Sequence, residues 1–443
     1  MENMDIVMGI ERETHRVTID GAISGSPQTA ALRPPHFTKD FAESQLEIVT
    51  KPHARITDLL LELETFTERA RAAVLPEVLW PFSMPPRLPP DSGIPIAELG
   101  PGKAAREAMG YRSGLALRYG KPRQMICGVH LNVSIGVDQA SEILREHPPG
   151  PTESEARPMD ALYIRLARNL YKDLRHLILL TGASPVPGGL SMDGYGEAVS
   201  YRNSALGYAG SEFRPYLDLT SLASYAAGIR RGLETESDRF KSLGARRGGL
   251  KPSTRVFQSE KEFYAPVRLK GKTRERGLHG LSMDGIEYVE LRFLDVDPFS
   301  PLGISGETLR LAHLFILDNV TKNSGAGTQP ELGAWLDEAD AAALLDPMEP
   351  ATHGAFGTPR RDGAAFSDLL GRTRRRLESL EPIARELARN TGDGYLAVLD
   401  GAIRQTEHPA LLPSARLLSA LADCGGDWTR LGIEIEDKRR NAA

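Results

Sequence analysis

Acidic side chains recur at every second position near the start of the chain, in the segment Gly-Ile-Glu-Arg-Glu-Thr-His-Arg at residues 9–16. If this segment is an extended strand, Glu11, Glu13 and His15 lie on one face and Ile10 lies on the other. Two carboxylates placed side by side repel each other unless cations lie between them. The spacing is therefore typical of a strand that contributes ligands to a cation site.

The same alternation of polar and apolar residues occurs in three further segments, at 43–49, 124–134 and 286–293. Their polar members are Glu43, Gln45 and Glu47, then Gln124, Gly128, His130, Asn132 and Ser134, then Tyr288, Glu290 and Arg292. The intervening positions are mostly apolar, and Ile126 is an apolar exception on a polar face. We therefore predict four strands, each with one apolar face and one polar face.

Two interpretations of these polar faces are open. Polar faces of antiparallel sheets commonly meet water. Solvated faces, however, are usually rich in Lys, Thr and Ser, whereas these carry Glu, His, Asn and Arg with hardly a Lys. Carboxylate oxygens are the ligands that Mg²⁺ prefers, and a guanidinium stabilises a phosphoryl group during its transfer. We therefore favour a site that holds Mg²⁺ and a polyphosphate.

The composition excludes several classes of protein. With 443 residues, of which 41% are hydrophobic, the chain can bury a sizeable core in two or three domains or in one large domain with insertions. A formal charge of −5 and the lack of a basic stripe argue against a nucleic-acid partner. The first residues lack the apolar stretch that a signal peptide contains, and no apolar run reaches 18 residues, so we expect no membrane partner. With only Cys127 and Cys424, a disulfide framework is excluded, Cys127 is interpreted as a core residue, and a cytoplasmic location is expected.

The periodicity of apolar residues predicts the elements that carry these faces. Helices are expected at residues 54–75, 102–119, 159–181, 217–243 with a break near Thr235, 306–321, 338–345, 364–391 and 412–423. Strands are expected within 1–50 and at 124–134, 254–264 and 284–295, with loops at 81–95 and 270–279. The predicted fold class is α+β, a sheet with a polar concave face and helices packed on its apolar back.

Nine segments, in chain order, resemble bacterial glutamate–cysteine ligase (γ-glutamylcysteine synthetase) in its long, single-function form. They are GIERETHRV (9–17), HFTKDFAESQLEIVTKP (36–52), LWPFSMPP (79–86), YRSGLALRYG (111–120), ICGVHLNVS (126–134), GASP (182–185), SYRNSALGY (200–208), EFYAPVR (262–268) and GIEYVELRFLDVDPFSPLG (285–303). The resemblance implies a mainly antiparallel, curved, funnel-like sheet of six strands, as in the glutamine synthetase-like carboxylate–amine ligases. We expect a catalytic region at 1–305 and a helical region at 306–443 packed on the same domain.

The resemblance also implies roles for particular residues. Metal-binding positions match Glu11, Glu13, Asp40, Glu47, His130 and Glu290. Arg292, together with Glu290, matches the catalytic positions, and the guanidinium would stabilise the phosphoryl group in flight. Asn132 and Arg202 match positions that bind the glutamate substrate. The acceptor pocket matches Phe41, Arg112, Leu115, Gln124, Tyr208 and Tyr264.

The implied reaction joins the γ-carboxylate of L-glutamate to the amino group of L-cysteine, through a γ-glutamyl phosphate formed from ATP. Two or three Mg²⁺ ions, or Mn²⁺ in their place, would act as cofactors, and a monomer or small homo-oligomer is expected. Two alternatives stay open. The same ligase chemistry could serve a specialised pathway with another small acceptor, such as a propargylglycine- or allylglycine-like amino acid, because a small pocket separates such side chains only weakly. A metal-binding protein without catalysis would need neither Arg202 nor Arg292.

Overall fold

A computed structural model describes the fold over residues 6–150, 155, 157–190, 196–207, 212–245, 253–272, 277–323, 325–347, 363–392 and 394–442. Its centre is a sheet of seven strands: β1 Ile6–Val17, β2 Phe37–Lys39, β3 Gln45–Val49, β4 Val78–Leu79, β5 Val129–Ile135, β6 Val267–Lys270 and β7 Tyr288–Leu294. Six of them follow the order β2-β3-β1-β5-β7-β6, and the short β4 pairs with β1. Every pairing is antiparallel, as expected for this fold class.

The register of the strands brings the predicted polar residues beside one another. Glu13 of β1 lies opposite Glu47 of β3, and Glu11 lies opposite His130 of β5. Further across the sheet, Asn132 lies opposite Glu290 of β7. Directly paired residues point to the same side of a sheet, so these side chains form one continuous polar face.

The opposite face of the sheet is the hydrophobic core. Ile10, Leu46, Leu131 and Leu291 are each at most 1% exposed and belong to one large apolar cluster. Helices cover this face because their apolar residues recur at helical spacing, as at Leu59 and Leu63. The same cluster includes residues of the helices that follow position 305, so the core is continuous between the two regions.

Fourteen helices are found among the described residues. They are α1 Ile56–Val74, α2 Lys103–Tyr119, α3 Val137–Glu146, α4 Pro158–Thr181, α5 Leu222–Glu234, α6 Asp238–Lys241, α7 Gly277–Asp284, α8 Gly306–Thr321, α9 Gln329–Ala343, α10 Gly363–Glu378, α11 Glu381–Thr391, α12 Tyr395–Glu407, α13 Pro413–Asp423 and α14 Trp428–Ala442. In the described part of the chain, no helix combines the length and apolarity that a membrane crossing requires.

Two strand predictions were misplaced. The strand expected at 254–264 is absent from the sheet, because Ser259 accepts a hydrogen bond from the N–H of Lys261 and starts a short 3-10 turn. The sheet strand β6 begins only after Pro266 and ends at Lys270, where the charged loop was expected to start, and α7 follows it. The strand expected from residue 124 begins at Val129 instead, because Pro122–Met125 forms another 3-10 turn.

The helical region is more extensive than the sequence predicted. The helix expected at 338–345 is α9, which starts earlier at a capping box formed by Thr328 and Glu331. The single helix expected at 364–391 is divided into α10 and α11 near Leu380, where Pro382 enters the first turn of α11. In this region the helices α12 and α14 were not predicted, and earlier in the chain neither α3 nor α7 was predicted.

Candidate active site

Three of the predicted metal ligands meet on the polar face of the sheet. One ligand atom each of Glu11, Glu47 and His130 lies within 4.8 Å of the others, close enough for a single cation to bridge them. The three residues come from β1, β3 and β5, which are neighbours in the sheet. The site therefore depends on how the strands pair. If one strand shifted by one residue relative to its neighbour, its ligand would point to the opposite face of the sheet, into the hydrophobic core.

His130 occupies the centre of this group. Its Nδ1 lies 3.6 Å from a carboxylate oxygen of Glu11, and its Nε2 lies 3.6 Å from one of Glu13. Both ring nitrogens are buried, and no described residue is within hydrogen-bonding geometry of either. Burial, together with the positive charge of Arg292, lowers the pKa of His130 to about 4. The imidazole is therefore neutral near pH 7, which is the form that binds metal ions.

Glu13 and Asp40 add further negative charge to the same face. Burial and the neighbouring Asp40 raise the pKa of Glu13 well above its ordinary value, although Arg202 and Arg292 oppose the shift. Burial also raises the pKa of Asp40, with Arg112 and Arg292 opposing. The Gly128 N–H donates to Glu13 at 2.8 Å and holds this carboxylate in place. Crowded carboxylates of this kind favour bound cations, because a cation removes the cost of keeping them ionised together.

Glu290 lies in a different electrostatic environment from the other predicted ligands. Its carboxylate contacts three cations: Arg292 at 3.2 Å, Lys270 at 3.1 Å and Arg268 at 3.7 Å. Burial alone would raise the pKa of Glu290, but Lys270, Arg292 and Arg268 together bring it well below its ordinary value. Glu290 is thus placed beside the phosphoryl-stabilising arginine that the sequence predicted, but outside the compact group around His130.

Arg268 and Lys270 were not predicted as site residues. Both were missed because the predicted strand ended at residue 264 and the predicted loop began at Lys270, whereas Val267–Lys270 forms β6 on the edge of the sheet. The signal was present in the alternation of Val267, Arg268, Leu269 and Lys270, which places both cations on the polar face. Burial and the neighbouring Arg268 lower the pKa of Lys270 to about 8.

Asn132 and Arg202, predicted to bind glutamate, both lie near the acidic group, Asn132 at Glu11 and Arg202 close enough to act on the charge of Glu13. The side-chain amide of Asn132 donates to Glu11 at 3.0 Å, and its carbonyl oxygen is buried without a hydrogen bond from any described residue. Arg202 donates to the backbone oxygen of Arg292 at 2.6 Å and lies 3.9 Å from Asp295. Its guanidinium lies directly over Gly128, where an added β-carbon would be 2.0 Å from Nη2.

A cavity of about 410 Å³ opens from the polar face. Most of the predicted site residues line it, namely Glu11, Asp40, Phe41, Glu47, Arg112, Leu115, Gln124, Tyr264, Glu290 and Arg292. Four are not among the lining residues: Glu13, His130, Asn132 and Arg202. Two of these, His130 and Asn132, contact the lining residue Glu11, so they border the cavity rather than face it. Tyr208 lies outside the described residues.

The predicted acceptor residues form a small apolar cluster at one side of this cavity. Phe41 and Leu115 are 2% and 4% exposed, and Tyr264 packs against the same cluster. Tyr111 belongs here as well, with its hydroxyl 3.4 Å from that of Tyr264. Tyr111 was not predicted as a site residue, although it directly precedes Arg112 in a matched segment. Like Tyr264, it is a tyrosine within a segment that resembles the family, and this could have identified it.

Arg112 is fixed by the backbone that surrounds it. Its Nη2 donates to the carbonyl oxygen of Lys39 at 3.0 Å, its Nε donates to that of Asp40, and its Nη1 lies 3.4 Å from that of Ala108. A guanidinium has five N–H donors, so two remain for a ligand. The contacts hold the charged group at the cavity wall beside Phe41.

Three further residues of the same strands and their neighbouring segments, His15, Glu43 and Cys127, are held by partners within the protein or by burial. Both ring nitrogens of His15 are hydrogen-bonded, Nδ1 to Ser44 at 3.0 Å and Nε2 to the carbonyl oxygen of Met125 at 2.7 Å. Glu43 is paired with Lys39 at 2.8 Å. Cys127 is fully buried, and burial raises the pKa of its thiol well above the ordinary value, as expected for a core residue.

Comparisons with known proteins agree with the resemblance seen in the sequence. The model of the glutamate–cysteine ligase family matches residues 2–340. A glutamate–cysteine ligase of Clostridium acetobutylicum is 30% identical over 97% of this chain and 94% of its own length, and one of Bordetella petrii is 33% identical over 98% and 85%. In fold, the chain is similar to the solved structure of a Francisella tularensis glutamate–cysteine ligase in complex with AMP, with a TM-score of 0.84, 23% identity and coverage of 99% of this chain and 89% of that one.

Proposed function

Because this chain belongs to the glutamate–cysteine ligase family, whose reaction is an ATP-dependent ligation, we propose that it joins L-glutamate to L-cysteine in the cavity on its polar face. The product of that ligation is used in glutathione biosynthesis. One observation carries the assignment of the site. A single cavity is lined by the carboxylates of Glu11, Asp40 and Glu47, here called the acidic wall, and also by Arg292 and by the aromatic residues of a small pocket. That combination suits a phosphoryl transfer followed by attack of a small amine.

The residues of the acidic wall are suited to the metal ions that this reaction uses. Two independent features support the fit, namely the compact group of Glu11, Glu47 and His130, and the two buried ring nitrogens of His130 that no described residue hydrogen-bonds. We propose that the ions are held by Glu11, Glu13, Asp40, Glu47, His130 and Glu290. Carboxylates suit both Mg²⁺ and Mn²⁺. When bound, such ions neutralise the oxygens of a triphosphate and of a carboxylate substrate.

Glutamate would be oriented by Asn132 and Arg202. The buried carbonyl oxygen of Asn132 can accept a hydrogen bond from the α-ammonium group, and Arg202 carries the charge that the α-carboxylate needs. The γ-carboxylate then attacks the terminal phosphorus of ATP, ADP leaves, and γ-glutamyl phosphate forms. Arg292, which lines the cavity beside Glu290, would stabilise the phosphoryl oxygens during the transfer.

The acceptor would bind with its carboxylate near Arg112 and its side chain between Phe41, Leu115 and Tyr264. Its neutral amino group attacks the acyl carbon of γ-glutamyl phosphate, phosphate leaves, and the new amide nitrogen loses a proton. The pocket wall is apolar and already packed, so a charged side chain would lack a partner and a β-branched one would collide with the rings.

Isotope transfer tests the intermediate directly. Glutamate labelled with oxygen-18 in its γ-carboxylate should deliver one labelled oxygen to the phosphate that is released, because that oxygen bridges carbon and phosphorus in the acyl phosphate. Glutamate labelled only in its α-carboxylate is the matched control and should give unlabelled phosphate. Unlabelled phosphate from the γ-labelled substrate would rule out this route.

A panel of acceptors tests the pocket, with ADP release measured at fixed glutamate. Cysteine, 2-aminobutyrate and allylglycine should differ in kcat/KM by only about 10- to 200-fold, because one small group in an apolar pocket is worth little more. Lysine, glutamate and valine should be poor acceptors. A preference for allylglycine over cysteine would indicate a specialised ligase, whereas a preference for lysine would refute the pocket assignment and leave the ligase assignment intact.

A further inference from the structure

Arg202, which the proposed function assigns to the α-carboxylate of glutamate, lies on a segment that is neither a helix nor a strand of the sheet. A long side chain on such a segment keeps one position only if other parts of the protein hold it. Its Nη2 donates to the carbonyl oxygen of Arg292 at 2.6 Å, and its Nη1 lies 3.9 Å from Oδ1 of Asp295. Asp295 directly follows β7, so it lies at the end of a strand that the sheet fixes.

One carboxylate oxygen of Asp295 joins the segment that carries Arg202 to the residues that follow α4. This oxygen, Oδ2, accepts hydrogen bonds from the Ala183 N–H at 2.7 Å, the Ser184 hydroxyl at 2.7 Å and the Ser200 hydroxyl at 2.8 Å. The Arg202 N–H in turn donates to the hydroxyl oxygen of Ser184 at 3.2 Å. Asp295 therefore holds the backbone from which Arg202 extends, and its other oxygen faces the guanidinium.

The two oxygens of Asp295 thus have different partners. Oδ1 faces the Arg202 guanidinium and the side-chain amide of Asn203, which donates to it at 3.5 Å. Burial raises the pKa of Asp295, and the charge of Arg202 together with the donors at Oδ2 opposes this shift. A buried carboxylate of this kind depends on its cation, and the cation is attracted to the carboxylate in turn.

Glu13 is a second carboxylate that acts on the charge of Arg202, from the polar face of the sheet. Its surroundings differ, because burial and the charge of Asp40 disfavour its ionised form, whereas the largest charge effect on Asp295 comes from Arg202 itself. Neither Asp295 nor Arg202 is among the described residues that line the cavity, but Arg202 lies directly over Gly128, beside the acidic group. Asp295 is placed to act on glutamate through Arg202 rather than by contact.

We propose that Asp295 is a positioning residue for glutamate binding, which fixes the guanidinium of Arg202 where the α-carboxylate of the substrate arrives. This inference rests on the proposed function and adds to it the residue that orients one of its binding groups. The contacts of Oδ2 set where the segment lies, and the charge at Oδ1 sets the direction of the guanidinium. A binding group that is already oriented loses less conformational entropy when the substrate binds.

Asp295→Asn separates the two roles, because a side-chain amide keeps one oxygen and replaces the other with a donor group. The remaining oxygen can still accept from Ala183, Ser184 and Ser200, while the NH2 group faces the Arg202 guanidinium without attracting it. The KM for glutamate should rise by roughly 10- to 100-fold, since a shift of about 1 Å in a binding group has consequences of that order. The kcat at saturating glutamate and the KM for cysteine should be almost unchanged, as expected when only substrate binding is weakened.

The matched control is Asp297→Asn, two residues further along the chain. Asp297 is also partly buried and accepts a backbone hydrogen bond, from the Phe299 N–H at 2.9 Å, but the cations that act on it are Arg416 and Arg439. This variant should have the same KM for glutamate as the original chain.

A double-mutant cycle tests whether Asp295 acts through Arg202. In an Arg202→Gln background, Asp295→Asn should change kcat/KM for glutamate much less than it does in the original chain, because the group that it orients is already gone. An equal change in both backgrounds would overturn the proposal. Such a result would mean that Asp295 affects the site independently of Arg202.

Ser184→Ala is an independent variant, which leaves the charge of Asp295 in place and removes the hydroxyl that links it to the Arg202 N–H. It should raise the KM for glutamate by a smaller factor, and it decides the question if Asp295→Asn does not fold. An unchanged KM for glutamate in the folded variant, or an equal rise in the KM for cysteine, would refute the positioning role. The ligase function is judged separately, because it would be refuted by a lack of glutamate-dependent ADP release from the original chain.

Discussion

Leu46 and Glu47 are adjacent in β3, but they lie in regions with opposite physical demands. Leu46 is fully buried among the apolar residues behind the sheet, where its contribution is dense packing. Glu47 faces the cavity, lies opposite Glu13 and is grouped with Glu11 and His130. Leu46 is therefore stabilised by apolar contacts within the protein, whereas Glu47 belongs to a group of crowded carboxylates that a bound cation would stabilise.

This difference indicates that residues important for function lie mainly on the front of the sheet, and residues important for stability lie mainly on its back. Crowded carboxylates on the front raise the free energy of the folded chain, as the raised pKa of Glu13 shows, where burial and Asp40 disfavour its ionised form. Residues on the back lower it through burial. A mutation on the front of a strand should thus lower turnover more than stability, and a mutation on the back should lower stability more than turnover.

The largest effect is expected for Glu47→Gln on the front. Turnover should fall by about 10³-fold, because a cation-binding carboxylate becomes a neutral amide at the place where the phosphoryl charge develops. The free energy of unfolding should stay the same or rise slightly, since one of the crowded charges is removed. Steady-state ADP release and urea denaturation measure the two quantities, with the exposed Glu64→Gln of α1 as control. Near-normal turnover at saturating Mg²⁺ would contradict the assignment of this face to metal binding.

Leu46→Ala, on the back of the sheet, should lower the free energy of unfolding and leave turnover almost unchanged. This variant should lose about 3 kcal/mol of unfolding free energy, within the usual range for removing a buried leucine side chain. Turnover of the molecules that remain folded should be close to that of the original chain. Leu61→Ala, at a leucine of α1 that is 63% exposed, is the matched control and should change stability by less than about 0.5 kcal/mol. A large loss of turnover without a loss of stability would mean that the two faces are not independent.

The front of the sheet was predictable because strand alternation is strictly two residues. Glu11, Glu47, His130 and Glu290 could be placed on one face without knowing how the strands pair. The order of the strands and the distances between these residues could not, since both depend on register. Arg268 and Lys270 were missed because Pro266 and the 3-10 turn before it concealed the start of β6.

The helical region was less predictable, because its helices depend on packing more than on local signals. Helix α12 contains Gly401 and follows Gly392 and Gly394, which indicate a loop when read locally. Helix α14 contains Gly432, which is needed because a β-carbon at this position would be 2.3 Å from the ring of Trp80. Tertiary contacts override local propensity in both helices.

A smaller effect is expected for Gly128→Ala, which tests how the front positions a substrate group. The added methyl group would collide with the guanidinium of Arg202 and force it to move. The KM for glutamate should rise by about 10- to 100-fold, because a shift of about 1 Å in a binding group has consequences of that order. The matched control is Gly110→Ala in α2, where a β-carbon meets nothing within 4 Å. An unchanged KM for glutamate would show that Arg202 does not bind this substrate.

The smallest effect concerns a buried histidine behind the sheet rather than in front of it. His313 of α8 accepts or donates a hydrogen bond through Nδ1 to the Tyr395 hydroxyl at 2.6 Å, and burial lowers its pKa to about 4. In the unfolded chain the pKa returns to its ordinary value near 6.5, so the unfolded state takes up a proton first as the pH falls. Stability is therefore fully present above about pH 6.5 and is lost as the pH falls toward 4.

At pH 5.5 this single residue should reduce the free energy of unfolding by about 1.4 kcal/mol relative to pH 8, since nearly one proton binds on unfolding. In His313→Gln the loss between the two pH values should be smaller by that amount, while the other buried histidines contribute equally to both proteins. His408→Gln, at an exposed position after α12, should keep the original pH dependence. Urea denaturation at pH 8 and pH 5.5 measures the free energy of unfolding of each variant and of the original chain at both pH values. If His313→Gln showed the same loss as the original chain, His313 would already be protonated in the folded state at pH 5.5, and burial behind the sheet would not lower its pKa.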